Sequence, residues 1–147
     1  MDSAVRRQLQ EEIIAAAEER AARSKWRGFS SKDVIPYCKK RVIVQWAIKN
    51  RHVNDELLRL WVSKALSSSK FEGCVRFLRT TKSIPGTWKA VDFCDYNDVM
   101  VAVDNRRRVV RSVDRSADRM EKAAHLMRLK QLGFRDAMNY VEIGKAS

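Results

Sequence analysis

Apolar residues recur along this chain at two different periods, and the switches between them mark out its elements. Val5, Leu9, Ile13, Ala16 and Ala17 follow helical spacing behind Asp2 or Ser3 as a cap, which predicts a first helix reaching about Arg23. Ala15–Ala17, Ala21 and Ala22 raise its propensity. Phe29–Val34 reads as another helix start, with Ser30 and Asp33 at capping-box spacing. Pro36 falls too deep for a first-turn proline. Either a short turn ends there, or the main helix begins at Pro36 and runs to about Asn50, burying Val42, Ile43, Trp46 and Ala47. The β-branched run Val42-Ile43-Val44 also suits a strand; helix is the preferred reading. Asn50–Val53 forms a turn, and Asn54 caps a helix over Asp55–Ser69 whose apolar face is Leu58, Val62, Ala65 and Leu66.

Phe71-Glu72-Gly73 breaks the helical period. Two strand-like runs follow, Cys74–Arg79 and Trp88–Phe93, joined by Thr80–Thr87, where Pro85-Gly86 fits a type II turn. Trp88 is expected to pack on this hairpin. Past Asn97, the expected next cap, Val99, Val103, Arg106, Val110, Val113, Ala117, Met120, Ala124 and Met127 alternate at spacings of four and three. Eight of these nine positions are apolar, enough for a coiled-coil seam on one long helix stopped by Gly133. Asp104-Asn105, between two valine-rich runs, would also suit a hairpin. The seam serves either a homodimer or packing on its own domain, and Phe134–Val141 forms a short final turn. The fold expected is mainly α with a small β-hairpin, divided into residues 1–28 (N-terminal helix), 29–95 (core) and 96–147 (helical extension).

Charge changes the picture most. The 147 residues carry a formal net charge of +12, a field that attracts polyanions whatever the fold. Arg20–Arg51 holds ten Lys or Arg and one acid, Asp33. A solvated surface would look similar, but like charges at that ratio repel unless an anion relieves them. Arg106, Arg107, Arg108, Arg111, Arg115 and Arg119 form a second basic stretch. No apolar run approaches membrane-spanning length, and the first residues lack the apolar stretch of a secretory signal, so an intracellular protein is expected. Cys38, Cys74 and Cys94 are widely spaced and suit buried, reduced thiols better than a metal site or disulfides. His52 and His125 stand far apart, Asp92, Asp95 and Asp98 read as turn residues, and no enzyme motif occurs; no cofactor or metal is expected.

On the Asp55–Ser69 helix, the side away from the apolar stripe carries Arg59, Ser63, Lys64 and Ser67, with Lys70 just beyond. Small hydroxyl residues let a helix approach base edges, and Arg or Lys reaches guanine acceptors or phosphates; an ordinary polar face has the same composition. Arg76, Arg79, Lys82 and Lys89 surround the hairpin loop and suit phosphate contacts, while Ile84 at its tip could enter a minor groove. This helix running into a hairpin with a cationic loop resembles the second half of a winged helix-turn-helix domain, over residues of about 29–93. The resemblance implies a winged-helix core, to which the N-terminal helix and the long C-terminal helix read from apolar spacing are added. It also implies duplex DNA binding, as in a transcriptional regulator, with the helix in the major groove and the wing on the backbone. Arg59, Ser63, Lys64 and Ser67 would then approach bases. Lys70, Arg79, Lys82, Lys89 and the Lys39-Lys40-Arg41 cluster would hold phosphates; outside the resemblance, Arg106, Arg107 and Arg108 read either as another phosphate contact or as the place where two helices diverge. An RNA or single-strand binder, and an adaptor that grips another protein through the same fold, stand as alternatives.

Overall fold

A computed structural model describes residues 1–109 and 115–146. Val110, Arg111 and Val113 therefore lie outside the described residues. The described chain is mainly helical, with two small antiparallel hairpins.

Helix α1 (Ser3–Ser24) is capped by Asp2, whose carboxylate accepts the Ala4 amide. It buries Leu9, Ile13, Ala16, Ala17 and Ala21 in the same cluster that α2 (Ser31–Lys39), α3 (Val42–Lys49) and α4 (Asp55–Ser68) fill, so it shares the core of residues 29–95. The Ser30–Asp33 capping box starts α2, and Pro36 sits inside that helix. Lys32, the residue whose carbonyl Pro36 cannot bond, is exposed, so water can satisfy it.

The single helix expected from Pro36 to Asn50 is broken at Lys40-Arg41. Arg41 is extended, and its guanidinium reaches Glu12 and Glu19 of α1 at 3.2 and 2.8 Å. Gln45 Nε2 donates to the freed Lys39 carbonyl at 3.0 Å. The break resets the helical phase. Val44 and Ala47 face the core, whereas Val42 is 81% exposed and Trp46 also reaches solvent, contrary to the buried face expected.

Helix α4 forms as the pattern predicts. Asn54 accepts the Leu57 amide at 2.8 Å, and Leu58, Val62, Ala65 and Leu66 are buried. Behind it, Glu72 and Gly73 both take positive φ, closing a two-residue hairpin between β1 (Lys70–Phe71) and β2 (Cys74–Val75). The larger hairpin pairs β3 (Phe77–Arg79) with β4 (Trp88–Ala90), and Phe29 exchanges two backbone hydrogen bonds with Trp88 along the outer edge of β4. The expected second strand ends earlier, since Val91–Phe93 is a 3-10 turn, and the expected first strand, Cys74–Arg79, is split at Arg76 into β2 and β3.

Side chains alternate across a strand, and β3 shows why the hairpin is central. Phe77 points into the α1–α4 cluster, while its neighbour Leu78 joins a second cluster built by α5 (Tyr96–Val109), α6 (Ser116–Lys130) and α7 (Phe134–Ala146). Two helical layers thus clamp one short sheet.

The C-terminal third departs most from expectation. The cap of α5 is Asp95, not Asn97: Asp95 and Asp98 each accept the other's amide, at 2.8 and 3.0 Å. The one long helix is instead α5 and α6, folded back on each other. Arg107 lies 3.0 Å from Asp118, yet eleven residues of continuous helix would separate them by about 16 Å. At the far end Tyr96 meets His125 and Arg128, so the two helices run antiparallel. Val99, Val103, Ala117, Met120, Ala124 and Met127 of the seam are buried within the chain. Gln131, not Gly133, takes the left-handed conformation that ends α6, and α7 replaces the short final turn.

Candidate nucleic-acid interface

The exposed face of α4 presents Arg59, Ser63, Lys64 and Ser67 together, because the four buried positions pin the opposite side. Neither Arg59 nor Lys64 has an ion-pair partner among the described residues, and Lys70 projects from β1 equally unpaired. Ser67 and Ser68 both donate to the Lys64 carbonyl, at 3.2 and 2.6 Å, which fixes their hydroxyls along the last turn. Between the polar residues stands Leu60, 62% exposed, which composition-based reasoning passed over; its apolar surface suits a thymine methyl.

At its C-terminal end this face opens into a groove of about 360 Å³ between α4, β3, β4, α5 and α6. Ser67, Arg79, Asn105 and Arg106 supply its polar atoms, and no carboxylate is among its described lining residues. Three site residues predicted from separate stretches thus meet on one surface. Arg106 Nε donates to Ser116 Oγ. Arg79 donates to the Ser83 carbonyl at 2.8 Å, while its Nε is buried without a hydrogen-bond partner.

The Thr80–Thr87 loop is held rather than free. Asn105 of α5 donates to both the Arg79 and Thr81 carbonyls at 3.2 Å, and Thr81 Oγ1 accepts the Thr87 amide at 2.8 Å. The type II turn expected at Pro85-Gly86 is absent: Ile84-Pro85 is cis and Gly86 has no positive φ. Gly86 serves space instead, since a β-carbon there would collide with the Arg79 guanidinium. Ile84 is 92% exposed at the tip. Lys82 lies 3.6 Å from Asp104, and both are half exposed. Such a surface pair contributes ~0–1 kcal/mol, so a phosphate can displace the carboxylate.

Several residues expected at the interface are committed elsewhere. Lys89 bonds Asp98 at 2.8 Å with both side chains only 14% exposed, so burial withdraws it from any phosphate. Arg41 is held by Glu12 and Glu19, whereas Lys39, 3.1 Å from Asp55, and Lys40, over the Tyr37 ring, stay exposed and are as open to a phosphate as Lys82. Arg76 is bound by Glu18, and Arg107 by Asp118 and Glu121. Of the arginine triplet, Arg108 is exposed with no ion-pair partner among the described residues. Sequence charge counts could not see these pairings, because the acids come from distant helices. Asn105 was missed for the same reason, since only its contact with the loop reveals its role.

All three cysteines are buried free thiols. Burial pushes the Cys38 thiol up from the ordinary 9.0 to about 12, and raises Cys74 and Cys94 as well. A raised folded-state value stabilises fully below pH 9.0; the stabilisation is lost between 9.0 and about 12, where the unfolded chain ionises and the folded one does not. Thiol reagents at pH 8 are therefore expected to leave the native protein essentially unlabelled and to modify three thiols once urea is added; fast native labelling would contradict this burial. Among the described residues, no cluster of His, Cys, Asp or Glu could hold a metal, and no helix is long and apolar enough to cross a membrane. No protein-family model, curated protein or solved structure matches this chain.

Proposed function

We propose that the protein binds double-stranded DNA, laying α4 toward the major groove and the Thr80–Thr87 loop along the adjacent backbone, in the manner of a winged helix-turn-helix regulator. The observation that carries this reading is the exposed α4 face, where Arg59 and Lys64 stand without an ion-pair partner among the described residues and which runs into the groove lined by Ser67 and Arg79 toward the wing. Several exposed cations on one face attract a polyanion, and phosphates at regular spacing suit them. The order of elements agrees: α3, a short turn in which Arg51 has positive φ and Val53 is buried, α4, then the hairpin. Arg59, Lys64 and Leu60 then face base edges. Lys82, Lys70, Arg79 and Arg108 face phosphates.

Measuring duplex affinity as a function of salt tests the reading. The wild-type protein is expected to bind duplex DNA near physiological salt, at roughly 0.15 M, with a steep negative dependence on salt. Lys82→Ala is expected to weaken binding severalfold across all sequences and reduce the log–log slope by about 1. Absence of duplex binding under these conditions would refute the proposal. An unchanged slope would remove Lys82 from the interface.

A further inference from the structure

A second surface lies at the end of the β3–β4 hairpin remote from its loop, and the α4 reading makes no use of it. There, a groove of about 380 Å³ is bounded by the C-terminal part of α1, by Phe71 of β1, by Asp92 and Phe93, and by the first turn of α7. The Phe71 ring has two guanidinium neighbours, Arg76 at 5.0 Å and Arg135 at 4.8 Å from its centroid. At the rim Trp26 meets Phe93 edge to face at 5.9 Å and stays 68% exposed. The backbone turns sharply to present that indole. Lys25, directly before it, has φ +52, a left-handed conformation that non-glycine residues adopt only at a cost, and Gly28 follows with φ +77. Arg23, Lys25 and Arg27 are exposed around it, without ion-pair partners among the described residues.

The distribution of charge narrows the ligand. Inside the groove, Glu18 binds Arg76 and Asp92 lies 3.3 Å from Arg135, so the interior is balanced and offers carboxylate acceptors. Those acids disfavour a phosphate inside but can accept the amino hydrogens of a nucleobase. The unpaired cations lie outside, beside Trp26, where a phosphate would run. Flat aromatic and guanidinium surfaces within, acceptors at their edges and cations on the rim match a nucleotide whose base points in and whose backbone stays out. Bases of a duplex are already stacked on each other and cannot offer that face. We infer that Trp26, Phe93, Phe71 and the paired Arg76 and Arg135 form a stacking site for an unpaired base of single-stranded nucleic acid, separate from the α4 surface. The inference rests on the preceding reading for its ligand class, nucleic acid, but not on the duplex geometry.

Fluorescence anisotropy with labelled DNA and RNA strands of one sequence, each about 12 nucleotides long, and with the matching DNA duplex, tests it at fixed salt. Trp26→Ala is expected to weaken single-strand binding about tenfold and to change duplex binding less than about twofold; Trp26→Phe, which keeps a ring, restores most of the loss. Trp26 is largely exposed, so neither substitution opens a core cavity. The DNA and RNA strands separate the two sources of such a base, and Trp26-dependent binding of either supports the site. No effect of Trp26→Ala on single strands, or an equal loss on duplex, would overturn it. Trp26-dependent single-strand binding without any duplex binding would refute the α4 proposal and leave this one standing. Duplex binding without single-strand binding does the reverse.

Discussion

Duplex affinity is expected to fall at least about a hundredfold when Arg59 and Lys64 are both replaced by Glu. Each cation can make a contact worth about 1–3 kcal/mol at a base edge, and every 1.4 kcal/mol is tenfold. Both stand exposed on α4 without an acid partner among the described residues, so wild type has no internal pairing to break before binding. The new carboxylates would add repulsion beside Glu56, already on the same exposed side. Stability should change little, because the substituted side chains lie opposite Leu58, Val62, Ala65 and Leu66. The same charge change at Lys122 and Lys130 of α6, both exposed, separates local contact from the general field. That control should cost far less. Equal losses in the two double variants would mean that net charge, not the α4 face, governs binding.

The largest effect on stability is expected from Asp98→Ala, at about 3–5 kcal/mol. Asp98 accepts the Asp95 amide at 3.0 Å and bonds Lys89 at 2.8 Å, and the pair is mostly withdrawn from water. Removing the carboxylate strands an ammonium between β4 and α5 and takes away half of a capping box. Lys89→Met should cost less, because the remaining carboxylate keeps its capping bond and the site becomes less polar. In the double variant the penalty should be well below the sum, the mark of a direct interaction. Urea unfolding at neutral pH measures all three, and a loss under about 1 kcal/mol for Asp98→Ala would show the pair to be effectively solvated. Lys89→Met is also expected to leave the salt slope of duplex binding unchanged, since Lys89 holds the hairpin against α5 rather than facing solvent.

What could be read in the chain was what a few neighbouring residues decide among themselves. Asn54 had to cap a helix, because its side chain reaches an amide three residues on, and the buried positions of α4 follow from period alone. The Ser30–Asp33 box, the hairpin pairing Arg79 with Trp88 and the buried thiols are of the same kind. The break at Phe71–Gly73 is legible, since α4 stops at Ser68, but that Glu72-Gly73 also turns a small hairpin is not. Pro85-Gly86 carried a type II signature, yet its glycine makes room for Arg79.

Tertiary structure decided which charges are free and which apolar stripes find partners. Arg41 and Lys89 are as basic in sequence as Arg59 and Lys64; they differ because α1 brings Glu12 and Glu19 to one, and α5 brings Asp98 to the other. The heptad-like stripe from Val99 to Met127 was legible as apolar. Whether it would extend as one helix or fold upon itself depended on contacts more than ten residues apart, such as Arg107 with Asp118. By itself, then, the sequence determined the helices around local caps, the hairpin and the excess of positive charge. Only the folded chain decided that Ser67, Arg79 and Arg106 share a groove and that Trp26 stands beside a second one, because burial and ion pairing are properties of neighbours in space.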